Sequence, residues 1–343
     1  MVVSPISRPG QTNGAGADDA QFLRLWSNEV LTVFHQKNKL MQFQNSRTLT
    51  SGKSALFPVT GTASAKYHTV GESVFGTDNS QSSTYLSAIL SKEREIWVDD
   101  QLIAGTFVPQ IDTLKNHFDE RSIYVNEVAT ALADKADRNI ARTLFAAALA
   151  NPATNGFASM SVADKTIDDY VDGRIGANIA SFIFDVAQLF DENNIPEEGR
   201  IVLLRPKQYY ALAAEKDLVN KDWTGGSNGD YAQAKVLKVA GFTIVMTNSL
   251  PSTDEWTAGA LTGERNNPFD HGKGYLAPVT ESPQLGAIAF QTSAIGTVKM
   301  KELSSESDYY MDRQGYLLLS SYMMGHGILR PECAAWMKCT TAI

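Results

Sequence analysis

Two periodicities divide the chain. Within an otherwise polar N-terminal arm, Phe22, Leu23, Leu25, Trp26, Val30, Val33 and Phe34 fall at helical spacing. They predict a short amphipathic helix that needs a docking surface to be stable. Ser54 to His68 and Ser83 to Asp99 have strand composition and are joined by turn-forming residues including Gly71, Gly76, Asp78 and Asn79, which predicts a long two-stranded hairpin. The first strand would extend roughly 50 Å at ~3.3 Å per residue, whereas a compact chain of this length has a radius of gyration of about 20 Å. Because a lone ribbon is marginal in water, this one must lie across its own body or on a neighbour.

The strongest helical period runs from about Asp119 to Ala150, through Tyr124, Val128, Leu132, Ala136, Ile140, Leu144 and Ala148. Asp119 and Ser122 are suitable caps, and Asn151-Pro152 is the stop. At roughly 45 Å such a helix is a structural spine. From Asp164 the pattern turns to α/β alternation. A helix carries Ile175, Ile179, Phe182, Ile183, Val186, Leu189 and Phe190, and a strand follows at Ile201 to Leu204. A helix then runs through Tyr209 to Leu218, and another strand lies at Phe242 to Met246. Ser252 to Gly274 reads as a long surface loop. Leu285 to Leu303 and Tyr316 to Met324 return to strand composition, with a charged bend at Glu302, Glu306 and Asp308 between them. The C-terminal strands are expected to pair around the long helix, making the α/β segment an insertion between two halves of one platform.

Composition narrows the function classes. Among 343 residues, 43% are hydrophobic and 20% charged, so the chain buries a real core. A net charge of −8 argues against tight wrapping of nucleic acid. Cys333 and Cys339 are the only cysteines; they make no disulfide framework and are expected to be free thiols from a reducing compartment. Neither a signal-peptide run nor a membrane-length apolar run is expected anywhere.

Candidate chemistry is thin. Ser51-Gly52-Lys53-Ser54 ends like a phosphate loop, but Arg47 stands where the motif needs glycine. Gly14-Ala15-Gly16 lacks a preceding strand. Asp168-Asp169-Tyr170-Val171-Asp172-Gly173 opens like a calcium loop, yet its twelfth position is Ile179. His326, Cys333 and Cys339 match no zinc spacing, and there is no Gly-x-Ser-x-Gly elbow. No catalytic, cofactor or metal site is expected.

Several segments resemble the major capsid proteins of short-tailed phages of the autographivirus, T-seven type. They are Glu29-Val30-Leu31-Thr32-x-Phe34, Ser51-Gly52-Lys53-Ser54-Ala55-x-Phe57-Pro58-Val59-x-Gly61 and Asn116-His117-x-Asp119-x-Arg121-Ser122. To these are added Ser293-Ala294-x-Gly296-Thr297-Val298-Lys299 and Tyr322-x-Met324-Gly325-His326-Gly327-x-Leu329-Arg330-Pro331-Glu332. Between about Asn151 and Gln284 the match is loose.

The resemblance implies an α+β chain with the Hong Kong 97-type capsid fold. Its parts would be an N-terminal arm (1–50), an extended hairpin or E-loop (51–100), a peripheral domain with the spine helix (101–163), an inserted axial domain (164–284) and peripheral C-terminal strands (285–343). It implies hexamers and pentamers closing an icosahedral virion shell, assembled in the bacterial host cytoplasm. The implied partners are other copies of the chain, a scaffolding protein, a portal protein at one vertex and packaged double-stranded DNA held by weak non-specific contact, with no membrane. On this reading the hairpin lies over the adjacent subunit and Phe22, Trp26 and Phe34 pack on a neighbour. Gly71 marks the hairpin connection. Lys66, Glu72, Lys92, Glu93 and Arg94 are candidates for intersubunit pairs, although each taken singly reads better as a solvated surface charge. The alternatives are an encapsulin-like compartment shell and, from a different class, a soluble hydrolase or transferase with no recognisable motif.

Overall fold

A computed structural model of the chain describes residues 30, 32–34, 36–60, 65–68, 70–71, 74, 91–109, 120–150, 175–215, 229–230, 235–236, 238–252 and 284–339. Its strands are β1 (Asn45–Thr48), β2 (Ser54–Thr60), β3 (Ser91–Trp97), β4 (Leu102–Pro109), β5 (Arg200–Leu204), β6 (Gly229–Asp230), β7 (Lys235–Val236), β8 (Lys238–Val239), β9 (Phe242–Met246), β10 (Leu285–Gln291), β11 (Ile295–Tyr310), β12 (Gly315–Ile328) and β13 (Ala334–Lys338). Its helices are α1 (Glu120–Leu149), α2 (Ile175–Glu192) and α3 (Pro206–Ala213). None of the described helices is long and apolar enough to cross a membrane.

The spine is α1, 30 residues long. Its two halves serve different cores. Val125, Val128, Ala129, Leu132, Ala133 and Ala136 pack with Val108, Leu318, Tyr322 and Met324 on the first sheet, ordered β1-β11-β12-β4. Ile140, Ala141, Leu144, Phe145 and Ala147 join the second core, which also holds Phe182, Phe190, Phe242 and Phe290 around the sheet β13-β10-β5-β9-β8. Full burial of a side chain such as Leu144 or Phe145, both 0% exposed, stabilises by about 1.5–3 kcal/mol. The many alanines among these contacts let the strands approach the helix closely. The predicted caps Asp119 and Ser122 lie outside the described side chains.

Halfway along α1 sits a buried carboxylate. Asp137 accepts hydrogen bonds from the backbone N–H of Lys39 (3.0 Å) and of Leu40 (3.2 Å). The helix therefore holds the segment that leads into β1. Burial pushes the Asp137 carboxyl above its ordinary range, and the two N–H donors oppose that shift.

Four expectations change. The hairpin base is real, with β2 antiparallel to β3 from Ser54↔Trp97 to Thr60↔Ser91, but β2 stops at Thr60 and residues 65–68 are not strand. The stretch from Leu285 to Leu303 is two strands: Gln291 caps a turn by accepting from the Ser293 N–H (2.8 Å), and its carbonyl accepts from Ala294 N–H (2.9 Å). Glu302, Glu306 and Asp308 form no bend, because their exposed side chains alternate with half-buried neighbours along β11; the reversal comes later, at 311–314, where Gln314 adopts φ 51°. In the second sheet β10 pairs antiparallel with β5 as well as with β13. The second core thus draws on strands from both 164–284 and 285–343, whereas the first takes none from 164–284. The helix expected through Tyr209 to Leu218 ends at Ala213 among described residues, and Ser252 to Gly274 lies outside them beyond residue 252.

Candidate assembly surfaces

The hairpin is built from its root. Ala55, Phe57 and Ile96 are buried against Val298 and Leu329, so β2 and β3 sit on the ends of β11 and β12. Close approach there requires glycine. A Cβ at Gly327 would lie 2.8 Å from Ile96 Cγ1, and one at Gly296 would lie 2.9 Å from Leu329 Cδ1 and 3.0 Å from Ile96 Cδ1. At Gly325 it would collide with the Trp97 carbonyl oxygen and stand 2.9 Å from that carbonyl carbon. Glycine at alternate positions of a strand leaves a trough on one face, and β3 lies in it.

Polar contacts fix the same root. Arg47 Nη1 donates to the Leu56 carbonyl (2.7 Å) while its guanidinium lies 4.7 Å from the centre of the Phe57 ring. Ser54 Oγ donates to Glu95 Oε1 (2.5 Å), Val98 N–H donates to the Lys53 carbonyl (2.9 Å), and Asp99 N–H reaches the Met324 carbonyl (3.4 Å). Beneath it, His326 Nδ1 lies 2.7 Å from Thr297 Oγ1, which donates to Gln44 Oε1 at 2.5 Å. Burial, reinforced by the Lys299 charge, pushes the His326 imidazole down to about 4. This neutral histidine on β12 is tied through Thr297 on β11 to Gln44, just ahead of β1.

The expected contact residues separate. Phe34 is a correction: it is 2% exposed and packs with Val30, Val108 and Tyr322 in its own chain, its ring 6.0 Å from that of Tyr322. Its side chain is therefore closed to a neighbour. Phe22, Trp26 and Glu72 lie outside the described residues. Lys66 is exposed, as are Tyr67 at 103% and Val70 at 97%, and Gly71 adopts φ 95°. Glu93 is exposed and Arg94 half-buried on β3, and Lys92 pairs through its backbone with Val59. The hairpin thus combines a root buried in its own chain with two apolar side chains, Tyr67 and Val70, that are exposed among the described residues.

No cluster of three or more His, Cys, Asp or Glu suited to a metal occurs among the described residues. Cys333 and Cys339 are buried and unpaired as thiols, each pushed up to about 11 chiefly by burial. The glycine seat and the Asp137 clamp escaped the sequence reading. Alternation of Gly325 and Gly327 in a strand was the available signal for the first.

Comparison with known proteins agrees with this architecture. The chain is 28% identical over 329 residues to the major capsid protein of Escherichia phage T7, covering 93% of this chain and 92% of that one. The capsid structure of cyanophage P-SCSP1u superposes with a TM-score of 0.67 at 33% identity, covering 88% of this chain and 87% of that one. The mature capsid of bacteriophage PhiM1 gives 0.65 at 16% identity over 88% and 87%, a likeness of fold. The fold is the Hong Kong 97-type capsid fold. Since the model of the Gp10A-like family, described as major capsid protein, matches residues 56–338, the chain belongs to that family of non-enzymatic structural proteins of the phage virion shell.

Proposed function

We propose that the chain assembles as hexamers and pentamers into an icosahedral head around double-stranded DNA, through a scaffold-filled procapsid that expands, with a portal protein at one vertex. Assembly takes place in the bacterial cytoplasm. The observation that carries this reading is the contrast within the hairpin, where a root with Ile96 only 1% exposed supports a connection with Tyr67 and Val70 wholly exposed. Apolar side chains exposed in this way acquire their contacts from a neighbouring copy. Each contact is modest, but every subunit has several neighbours, so multivalency makes a closed shell stable while single contacts stay reversible enough to correct errors.

The net charge of −8 fits the same role, because a wall of many acidic copies repels DNA and lets the genome slide in and out. Strong, salt-sensitive binding of DNA to empty shells would contradict that part. The main reading is tested by deleting Gly71 to Ser82. The variant is expected to stay folded and to form no closed shells, and intact particles in electron micrographs would refute it.

A further inference from the structure

The first sheet ends on β1 at one side and on β4 at the other. Strand β1 is 4 residues long and carries Arg47. Strand β4 runs for 8 residues without a charged side chain, and it pairs with β12 without a register shift. Shortness, charge, proline and bulges are the devices that keep an edge strand from pairing with another chain. Of these β4 has only Pro109, its last residue.

Close contacts fix which backbone groups of β4 lie on its open side. A Cβ at Gly105 would stand 2.6 Å from the Leu318 carbonyl oxygen, and one at Gly315 would stand 2.7 Å from the Val108 carbonyl oxygen. Both carbonyls therefore point across the seam between β4 and β12, which makes Thr106↔Leu318 and Val108↔Tyr316 the hydrogen-bonded pairs of the register. By alternation Ile103, Gly105 and Phe107 turn their N–H and C=O groups outward, where they meet no partner among the described residues. Pro109 belongs to the same outward set, so its missing N–H costs no ladder bond. Val108 is buried in the core under α1, with Leu102 and Ala104 packed against that core, and the side chains of Ile103 and Phe107 stand on the opposite face. Ile103 is 52% exposed, and Gly105 is exposed beside it.

We propose that β4 pairs antiparallel with β4 of a second copy of the chain about a two-fold axis at Gly105, joining two first sheets edge to edge. The outward groups select this occupant because they complement themselves. With Gly105 opposite Gly105 of the second copy, Ile103 meets Phe107 of that copy and Phe107 meets its Ile103. All of these residues belong to the outward set, so each pair exchanges both of its hydrogen bonds. On the open face each Ile103 gains an aromatic cross-strand neighbour, and an edge without charges brings no like charges together. The contact is isologous and closes as a pair. The inference rests on the shell reading above, in which hexamers and pentamers must also be joined to one another, and it supplies a two-fold contact of the kind that joins them.

The test joins Ile103→Cys to Phe107→Cys in the full-length chain. Across the axis these positions have Cα atoms about 5.5 Å apart, within disulfide reach. Along one strand they are ~13 Å apart at ~3.3 Å per residue, so no bridge forms within a chain. The native thiols, 2% and 1% exposed, give little background. Oxidised particles are expected to yield covalent dimers and no longer multimers on a non-reducing gel, with neither single variant giving dimers. Particles without the dimer, or with a ladder extending beyond it, overturn the two-fold pairing and leave the shell reading intact. A wild-type chain that never forms particles, even with a scaffolding protein, overturns both. Should the cysteine pair itself block assembly, hydrogen exchange of the wild-type chain decides. The amides of Ile103, Gly105 and Phe107 should exchange at least about ten-fold more slowly in particles than in free subunits, and equal rates overturn the proposal.

Discussion

Replacing Gly325 with alanine tests the glycine seat directly. The new Cβ would strike the Trp97 carbonyl group, 2.9 Å from its carbon and 3.0 Å from Val98 Cα. Ordinary contact begins at 3.4 Å, so the carbonyl carbon must retreat by about 0.5 Å, the difference between 3.4 and 2.9 Å, and its oxygen by more. Easy relief is blocked. The obstacle is backbone, Ile96 is buried, and Val98 N–H is tied to Lys53. Overpacking of this kind costs about 1–3 kcal/mol, a fall of about 1–4 °C in Tm for a chain of this size.

The aim of the hairpin suffers as well. A shift of ~0.5 Å across a lever of ~7 Å grows to roughly 2 Å at the far end of seven paired residues spanning ~23 Å. Calorimetry of the unassembled protein and particle counts by negative-stain microscopy separate the two effects. Gly325→Ala should lower the particle yield more than ten-fold while the chain stays folded at assembly temperature. Gly52→Ala is the comparison, because Gly52 has φ 107° and open space around its Cβ; it should cost stability without redirecting the hairpin. Wild-type yield and shell geometry for Gly325→Ala would refute the argument.

Three further outcomes are expected. Between pH 6.5 and about 4 the unfolded chain carries a proton on His326 that the folded chain refuses, so stability falls with falling pH across that window, by up to about 3 kcal/mol; His326→Gln should flatten the slope in denaturant titrations, and an unchanged slope would count against it. Arg200→Ala should cost about 2–3 kcal/mol in denaturant midpoint analysis, because the side chain, 3% exposed, binds Asp191 (2.7 Å) and the carbonyls of Ile195 (2.6 Å) and Pro196 (3.1 Å); a wild-type midpoint would show those bonds to be dispensable. Cys333 and Cys339, buried with thiols at about 11, should react with a thiol reagent at pH 8 only after denaturation, so rapid labelling of the native chain would contradict their burial.

Much of the architecture was legible because its signals are local. The spine announces itself through apolar residues at helical spacing from Tyr124 to Ala148, and α2, β5 and β9 sit where their patterns put them. What escaped depends on residues far apart in sequence. Asp137 looks like one more polar position on a helix until it meets the backbone of Lys39 and Leu40. Similarly, Phe34 carries the pattern of a sticky arm, yet Tyr322 and Val108 already occupy its surroundings. The turn at Gln291 to Ala294 is hidden because apolar strand residues flank it on both sides, and its cap is a side chain that composition does not reveal. The hairpin seat requires Trp97 and Gly325 to meet, which no local window contains.

That last separation also bears on synthesis. Residues 91–97 of the hairpin leave the ribosome long before Gly325 and Gly327 are made, a delay of roughly 10–50 s at ~5–20 residues per second. Strand β1 waits similarly for its parallel partner β11, joined from Asn45↔Gly296 to Thr48↔Lys299. Until β11 and β12 are made β2 and β3 have no seat, and since a two-stranded ribbon alone is marginal in water, the fold of the hairpin waits on the C-terminal strands. Translation order thus makes the hairpin root one of the last parts of the subunit to be completed.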